Sequence, residues 1–237
     1  METIIRQGLA ELGLTESVPE NAPSLLAEYG RLLLEKNQVM NLTAIREPEQ
    51  AARLHMLDCA ALLRCGPLAG KTLIDVGTGA GFPGMALKIL QPELKVTLLD
   101  SLNKRLLWLE EVKEALELKG LRTVHARAEE QALRPGWRDS FDYATARAVA
   151  DLRLLAELCL PFVRVGGQFW AMKAADCDQE LAAAARGIGQ LGGRLLPSFD
   201  YSIPGTDIVR RVVVVEKVRP TPKGYPRRFA RMQKAPL

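Results

Sequence analysis

The stretch Asp75-Val-Gly77-Thr-Gly79-Ala-Gly81-Phe82-Pro83-Gly84 constrains this chain more than any other part of it. It follows the apolar run Lys71 to Val76 (KTLIDV), which reads as a short strand, and leads into a helical segment from Pro83 to Leu90. A glycine-dense turn from strand to helix permits positive φ and lets a ligand approach the backbone closely, which side chains would prevent. It indicates a nucleotide-like cofactor. Gly79-Ala-Gly81-Phe-Pro-Gly84 also satisfies G-x-G-x-x-G, so a dinucleotide has to be weighed as well.

The rest of the chain repeats the same alternation. Lys95 to Leu99 is a second strand, Lys104 to Lys119 a helix, and Leu121 to Ala126 a third strand. Phe141 to Thr145 and Gln168 to Met172 read as strands four and five around a helix near Asp151 to Leu160, and Asp176 to Leu191 supplies another helix. The β-branched run Val209 to Val215 closes the series, and a short loop separates it from a weaker strand at Leu195 to Tyr201, which fits a hairpin. Such alternation requires parallel strands joined by right-handed helical crossovers, hence a doubly wound α/β sheet, here of seven strands. Ahead of it, Glu2 to Leu12, Pro23 to Gln38 and Pro48 to Arg64 have helical character, with Leu25, Leu26, Tyr29, Leu32 and Leu33 spaced along one apolar face. The division is therefore a helical cap over 1–66, a core over 67–216 and a tail over 217–237, within one domain spanning 1–237.

Composition narrows the class. Apolar residues make up 48% and charged residues 25%, a balance that predicts a packed globular core. No run approaches the roughly 18 apolar residues of a membrane span, and the N-terminus carries charges where a signal peptide is apolar, so a cytoplasmic protein is expected. Cys59, Cys65, Cys159 and Cys177 form no C-x-x-C pair, so neither a zinc site nor a disulfide framework is predicted. His55 and His125, far apart in sequence, read as packing residues. From Lys217 onward there are seven basic residues and no acidic one, with Tyr225 and Phe229 among them.

Residues at the strand ends carry the candidate site. Asp75 closes the first strand, where a carboxylate would repel a pyrophosphate but attract a sulfonium or amino group. Pro83 lacks an N–H that a pyrophosphate would use. Asp100 closes the second strand, where it can accept hydrogen bonds from both ribose hydroxyls of an adenosine, whichever cofactor carries it. The third strand runs into Arg127-Ala128-Glu129, placed to meet an adenine, and the fourth into Ala146-Arg147-Ala148, where a substrate would enter. A turn-capping role for the two aspartates and a surface ion pair for Arg147 are the structural alternatives.

The segments LLLEKNQVMNLTAIREPEQAARLHMLD, LIDVGTGAGFPGMALKI and LLDSLNKR, followed by PKGYPRR near the end, resemble the glucose-inhibited division protein B family of bacterial small-subunit (16S) ribosomal RNA guanine-N7 methyltransferases. The match runs in order along most of the chain, and the Asn-Leu-Thr segment followed by His-x-x-Asp is its most distinctive part. The resemblance implies a Rossmann-like class I methyltransferase dependent on S-adenosylmethionine. Its sheet is mostly parallel, twisted and seven-stranded, with an antiparallel last strand and an N-terminal helical cap. It further implies that Gly77 and Phe82 border the methionine part of the cofactor, with Gly79 and Gly81 also in the cofactor-binding loop, Asp100, Ser101 and Leu102 at the ribose, Ala128 and Glu129 at the adenine, and Arg147 at the mouth. The tail departs from the family after Arg228.

Guanine N7 has an in-plane lone pair and no hydrogen, so its methylation needs positioning but no general base. No catalytic residue is therefore assigned. The chain also lacks the Asn/Asp-Pro-Pro-aromatic loop of exocyclic-amine methyltransferases and the Pro-Cys of cytosine C5 enzymes. RNA contacts are expected from Arg147 and from Lys223, Arg227, Arg228 and Arg231 of the tail. No metal is called for. The competing readings are a nicotinamide oxidoreductase, a methyltransferase acting on a protein or small molecule, and a non-enzymatic RNA-binding assembly factor.

Overall fold

Strand residues of alternating orientation organise the molecule, and a computed structural model describes residues 1–147 and 150–237. Ala148, placed by the sequence at the end of the fourth strand, lies outside the described residues. The strands are β1 (Thr72–Val76), β2 (Lys95–Asp100), β3 (Leu121–His125), β4 (Phe141–Arg147), β5 (Val163–Ala174), β6 (Gly193–Leu195), β7 (Phe199–Ser202) and β8 (Val209–Lys217). Their order is β3-β2-β1-β4-β5-β8-β6, with β7 also beside β8. β1 to β5 are mutually parallel, and β8 runs antiparallel to β5.

The predicted α/β sheet and its antiparallel last strand are present, with eight strands among the described residues where seven segments were expected. The weak segment from Leu195 to Tyr201 is divided into β6 and β7, both antiparallel to β8. Pro197 falls between them and has no N–H to give to a ladder. The expected hairpin closes with the Ile203 N–H donating to the Ile208 carbonyl at 3.0 Å.

Side chains alternate across the sheet and build one core on each face. Leu73, Val96, Leu98, Tyr143, Trp170, Val212 and Val214 point to one side. There they meet helices α1 (Glu2–Glu11), α2 (Ala22–Met40), α5 (Gly84–Leu90) and α6 (Asn103–Ala115). Along α2, Leu26, Tyr29, Gly30, Leu33 and Asn37 are buried, the spacing of a single helix face. The third helical segment of the cap is α3 (Pro48–Ala51), then a π-helical stretch over Ala52–Leu57, then α4 (Asp58–Ala60). On the opposite face Ile74, Ala144, Phe169, Val213 and Val215 pack against α8 (Leu152–Cys159) and α9 (Asp178–Gln190). Between β3 and β4 a short helix, α7 (Ala128–Gln131), begins directly after the strand.

The tail is anchored to the second core and ends in α10 (Phe229–Lys234), whose Met232 is fully buried there, while Lys217, its first residue by sequence, is the last residue of β8. Lys217 is 0% exposed, and its ammonium spends three donors on Asp139 Oδ1 (2.7 Å) and the carbonyls of Leu160 (2.6 Å) and Val163 (2.9 Å). Burial lowers its pKa, against the pull of Asp139.

Candidate functional site

Sheet order reverses between β1 and β4, where the chain, having built outward through β2 and β3, returns to the other side of β1. A crevice opens there at the carboxyl ends of the strands, the usual ligand position in open α/β sheets. The glycine turn forms its floor. The Gly77 and Thr78 amides both donate to the Leu99 carbonyl (2.8 and 3.0 Å), pinning the turn to β2. Gly84 is required by packing, since a Cβ there would lie 2.5 Å from Leu98 and 2.9 Å from the Asp75 carboxylate.

Asp75 is fully buried beneath this turn. Its Oδ2 accepts from Thr78 Oγ1 (2.6 Å) and from the Gly84 amide (2.9 Å), and Oδ1 has no partner among the described residues. Burial raises its pKa to about 6, while those hydrogen bonds and Arg147 work the other way. The expectation that Asp75 faces the cofactor is therefore revised: its carboxylate holds the loop from behind. The Gly84 amide at the start of α5 is also committed to it, so the N–H that a pyrophosphate would seek there is already taken. Gly81 backs onto Tyr29, 2.4 Å from where its Cβ would sit, and Leu102 turns its side chain outward. Neither lines the crevice.

The remaining predicted residues converge. Gly77, Gly79, Phe82, Asp100, Ser101, Ala128, Glu129 and Arg147 line one cavity of about 490 Å³, within the range of small-molecule sites. Asp100 is 5% exposed, its Oδ2 accepting from the Gly79 amide (2.9 Å) and Oδ1 from the Leu102 amide (2.8 Å). A carboxylate has about four acceptor directions. The two directions not taken by these amides are left for a ligand's hydroxyls, with Arg105 Nη1 3.7 Å from Oδ2. A Cβ on Gly79 would meet nothing nearer than the Gly77 carbonyl at 3.9 Å, which leaves the backbone open towards the cavity.

Sequence reasoning missed a second group of residues, supplied by the cap. The Asn37 side chain accepts from the Leu42 and Thr43 amides (2.7 and 2.9 Å) and so shapes the Asn-Leu-Thr turn. Thr43 Oγ1 lies 2.9 Å from His55 Nε2, and Arg147 Nη2 lies 2.9 Å from His55 Nδ1. A guanidinium only donates, so His55 Nδ1 is the acceptor and the ring's proton sits on Nε2, directed at Thr43. Arg147 Nη1 also donates to Asp58 Oδ2 (3.0 Å) and to the Leu54 carbonyl (3.1 Å), while Tyr201 holds Asp58 Oδ1 at 2.6 Å. Phe82 stacks on His55 (4.6 Å between centroids) and lies beneath the Arg147 guanidinium (4.9 Å).

This cluster is electrostatically settled. Burial, reinforced by Arg147, lowers the His55 pKa to about 3, so the ring is neutral near pH 7. Burial opposes the Arg147 charge, but Cys59, Asp58 and Asp75 outweigh it and leave its pKa raised. His55 and Arg147 also line an adjoining cavity of about 800 Å³ with Asp58, Lys173 and Arg210. The two cavities meet at this pair. His55 read as a packing residue because its partners lie in distant segments; the signal for it was the Asn-Leu-Thr and His-x-x-Asp pair.

A model of the GidB family, described as rRNA small subunit methyltransferase G, matches residues 23–196. The chain belongs to this family. A ribosomal RNA small subunit methyltransferase G from Alkaliphilus metalliredigens is 43% identical over 235 residues, covering 99% of this chain and 98% of the relative. One from Acetivibrio thermocellus is 47% identical over 209 residues, 88% of this chain and 86% of the relative. Among solved structures, M. jannaschii TYW2 in complex with AdoMet has a TM-score of 0.53 at 14% identity, over 68% of this chain and 75% of that one. TrmN from Thermus thermophilus has a TM-score of 0.52 at 23% identity, over 68% and 48%. These two show the fold. As a family member the chain is an S-adenosylmethionine-dependent enzyme that methylates small-subunit ribosomal RNA. The open glycine backbone, the two spare acceptor directions of Asp100 and the occupied amide of Gly84 all fit an adenosine without a pyrophosphate.

The predicted RNA contacts divide. Lys223, Arg228 and Arg231 are exposed. Arg227 is not available in the same way, because its amide and guanidinium wrap the Glu157 carboxylate, which is 1% exposed (backbone N to Oε1 2.8 Å, Nε to Oε1 2.8 Å, Nη2 to Oε2 2.5 Å). The physical reason is burial: a carboxylate inside the second core requires a fully bonded cation.

Proposed function

We propose that this chain, acting as one unit over 1–237, methylates the N7 position of a guanine in the decoding-centre loop of 16S ribosomal RNA, by in-line transfer without a general base. The observation that carries this reading is the state of the group where the two cavities meet. His55, the one histidine there, is neutral, receives a hydrogen bond from Arg147 on its bare nitrogen and donates from the other, so it has no site to take up a proton. An exocyclic amine or a hydroxyl acceptor must shed a proton. Guanine N7 need not.

When bound, S-adenosylmethionine supplies an electrophilic methyl group on a cationic sulfur. Asp100 and the Gly77 to Gly79 backbone would hold its ribose and amino-acid sides, and Ala128 and Glu129 its adenine, a reading supported by their shared lining of one cavity. Arg147 borders both cavities with its charge balanced by Asp58, so it orients groups by hydrogen bonding while adding little net positive charge beside a sulfonium. Phe82, lying against both His55 and Arg147, supports the pair through its ring. The larger cavity suits the base, with Arg210 as the cation for its phosphate, since Lys173 is already paired with Glu180. N7 lies in the deep groove of an RNA duplex, so the base must come from a loop or be extruded. Exposed Lys223, Arg228 and Arg231 would hold the flanking strand. The chain works in the cytoplasm on the small subunit or its assembly intermediates. No helix in the described residues is long and apolar enough to cross a membrane.

The test is incubation with radiolabelled methyl donor and small subunits, naked RNA and assembly intermediates from cells lacking this protein, followed by nucleoside analysis. Label in 7-methylguanosine is expected. Label in any other nucleoside, or none on all three substrates with cofactor bound, would end the proposal.

A further inference from the structure

The C-terminal segment lies beyond the residues that the family model matches, yet it reaches the cofactor cavity. Its path is fixed at several points. The Arg138 guanidinium donates to the carbonyls of Thr221 (2.5 Å), Pro222 (3.0 Å) and Tyr225 (2.8 Å). Arg227 then clasps Glu157 on α8, and its remaining Nη1 donates to the Ala235 carbonyl (3.0 Å), closing the end of α10. Met232 is buried, and Leu237 packs where a side chain on Gly187 would otherwise stand. A six-residue helix has no stability alone. These anchors therefore decide where its first residue, Phe229, is held.

That residue lines the 490 Å³ cavity next to Ala126, Ala128, Glu129 and Leu158. All but Leu158 follow the end of β3, one strand beyond Asp100, which pairs in register with His125. A ligand whose ribose is held by Asp100 has its base directed to this side. We infer that Phe229 forms the purine wall of the cofactor site, so that the anchored C-terminal segment is a working part of cofactor binding. The inference rests on the reading of this cavity as the S-adenosylmethionine site. A purine presents a flat face that an aromatic ring covers well, and the ring is brought there by residues distant in sequence from every other part of the site.

Calorimetric titration of the full-length protein with S-adenosylhomocysteine and, separately, with adenosine tests it. Phe229→Ala is expected to weaken both ligands by the same factor, about tenfold. The exposed neighbour variant Lys234→Ala should bind both like the wild type. Unchanged affinity in Phe229→Ala overturns the inference, and so does a loss confined to S-adenosylhomocysteine, which would put the contact away from the purine. Should alanine unfold the segment, as read from a lowered melting temperature, Phe229→Leu is measured instead. It keeps the apolar packing without the ring, so a matching loss for both ligands supports the inference and wild-type affinity overturns it. Wild-type protein that binds neither ligand would sink the reading of the cavity, and this inference with it. Wild-type binding beside an indifferent Phe229 variant would sink this inference alone.

Discussion

Acidification should act on His55 in a way that can be isolated. Its folded pKa is about 3 against an ordinary 6.5, because burial and the Arg147 charge both disfavour the imidazolium. Between those values the folded protein binds fewer protons than the unfolded chain, so the stability held by a neutral His55 is full above pH 6.5 and is lost as pH falls towards 3. At about 1.4 kcal/mol per pH unit, the loss is about 2 kcal/mol by pH 5. Asp75 runs in the opposite sense, since its folded pKa is raised from 3.8 to about 6. Its stabilisation is full below pH 3.8 and disappears as pH rises through 6, so the two groups offset one another between pH 6 and 4. The comparison with His55→Gln separates them. In urea unfolding, the stability difference between wild type and variant should fall by about 2 kcal/mol from pH 7 to pH 5. Because the chain has only two histidines, the His55 resonance is assigned by its absence from the variant's spectrum, and it should report a neutral, Nε2-protonated ring down to pH 5. Parallel stability curves, or a His55 midpoint above pH 6, would refute the reasoning.

Arg227→Ala should destabilise the fold by about 3–5 kcal/mol in denaturant, because it leaves the Glu157 carboxylate buried without its cation. A cost under about 1 kcal/mol would return Arg227 to the surface. Asp100→Ala should weaken S-adenosylhomocysteine binding by about ten- to a hundredfold in equilibrium dialysis, since both the ligand and the Gly79 amide lose a charged acceptor; wild-type affinity would exclude Asp100 from the site. Gly81→Ala should lower stability by about 2–4 kcal/mol, combining a φ of +91° with a Cβ 2.4 Å from the Tyr29 hydroxyl, and a variant as stable as wild type would contradict that packing. With Lys223, Arg228 and Arg231 as the tail's phosphate contacts, replacing all three by alanine should reduce the log–log salt slope of RNA binding by about 2. An unchanged slope would place the RNA elsewhere.

The sheet and its ligand-binding edge were legible because they rest on local signals. β-branched runs alternate with helical segments, and glycines and aspartates sit at the ends of β1 and β2. Even there, the direction of a side chain was not local information. Asp75 and Asp100 read alike as acidic strand ends, but Asp75 turns under the glycine loop to Thr78 and Gly84, whereas Asp100 opens to the cavity. What stayed hidden depends on pairs far apart in the chain. The net of seven tail charges gives no sign that Lys217 is buried against Asp139 or that Arg227 meets Glu157, 70 residues away. His55 likewise owes its neutral state first to burial, and its fixed tautomer to Arg147, which β4 brings to it.

The π-helical stretch over Ala52–Leu57 has a consequence for how this site can change over generations. Such a stretch is an α-helix carrying one residue more than its regular geometry accommodates. Deleting that residue would restore better backbone hydrogen bonds, and it would rotate all that follows by about 100°, carrying Asp58 away from Arg147 while His55 stayed behind. The same rotation would turn Cys59, Ala60, Ala61 and Leu62, all fully buried, away from the core they now fill. The extra residue is thus what lets one short segment serve the core and the grip on Arg147 together, and losing it would cost both at once.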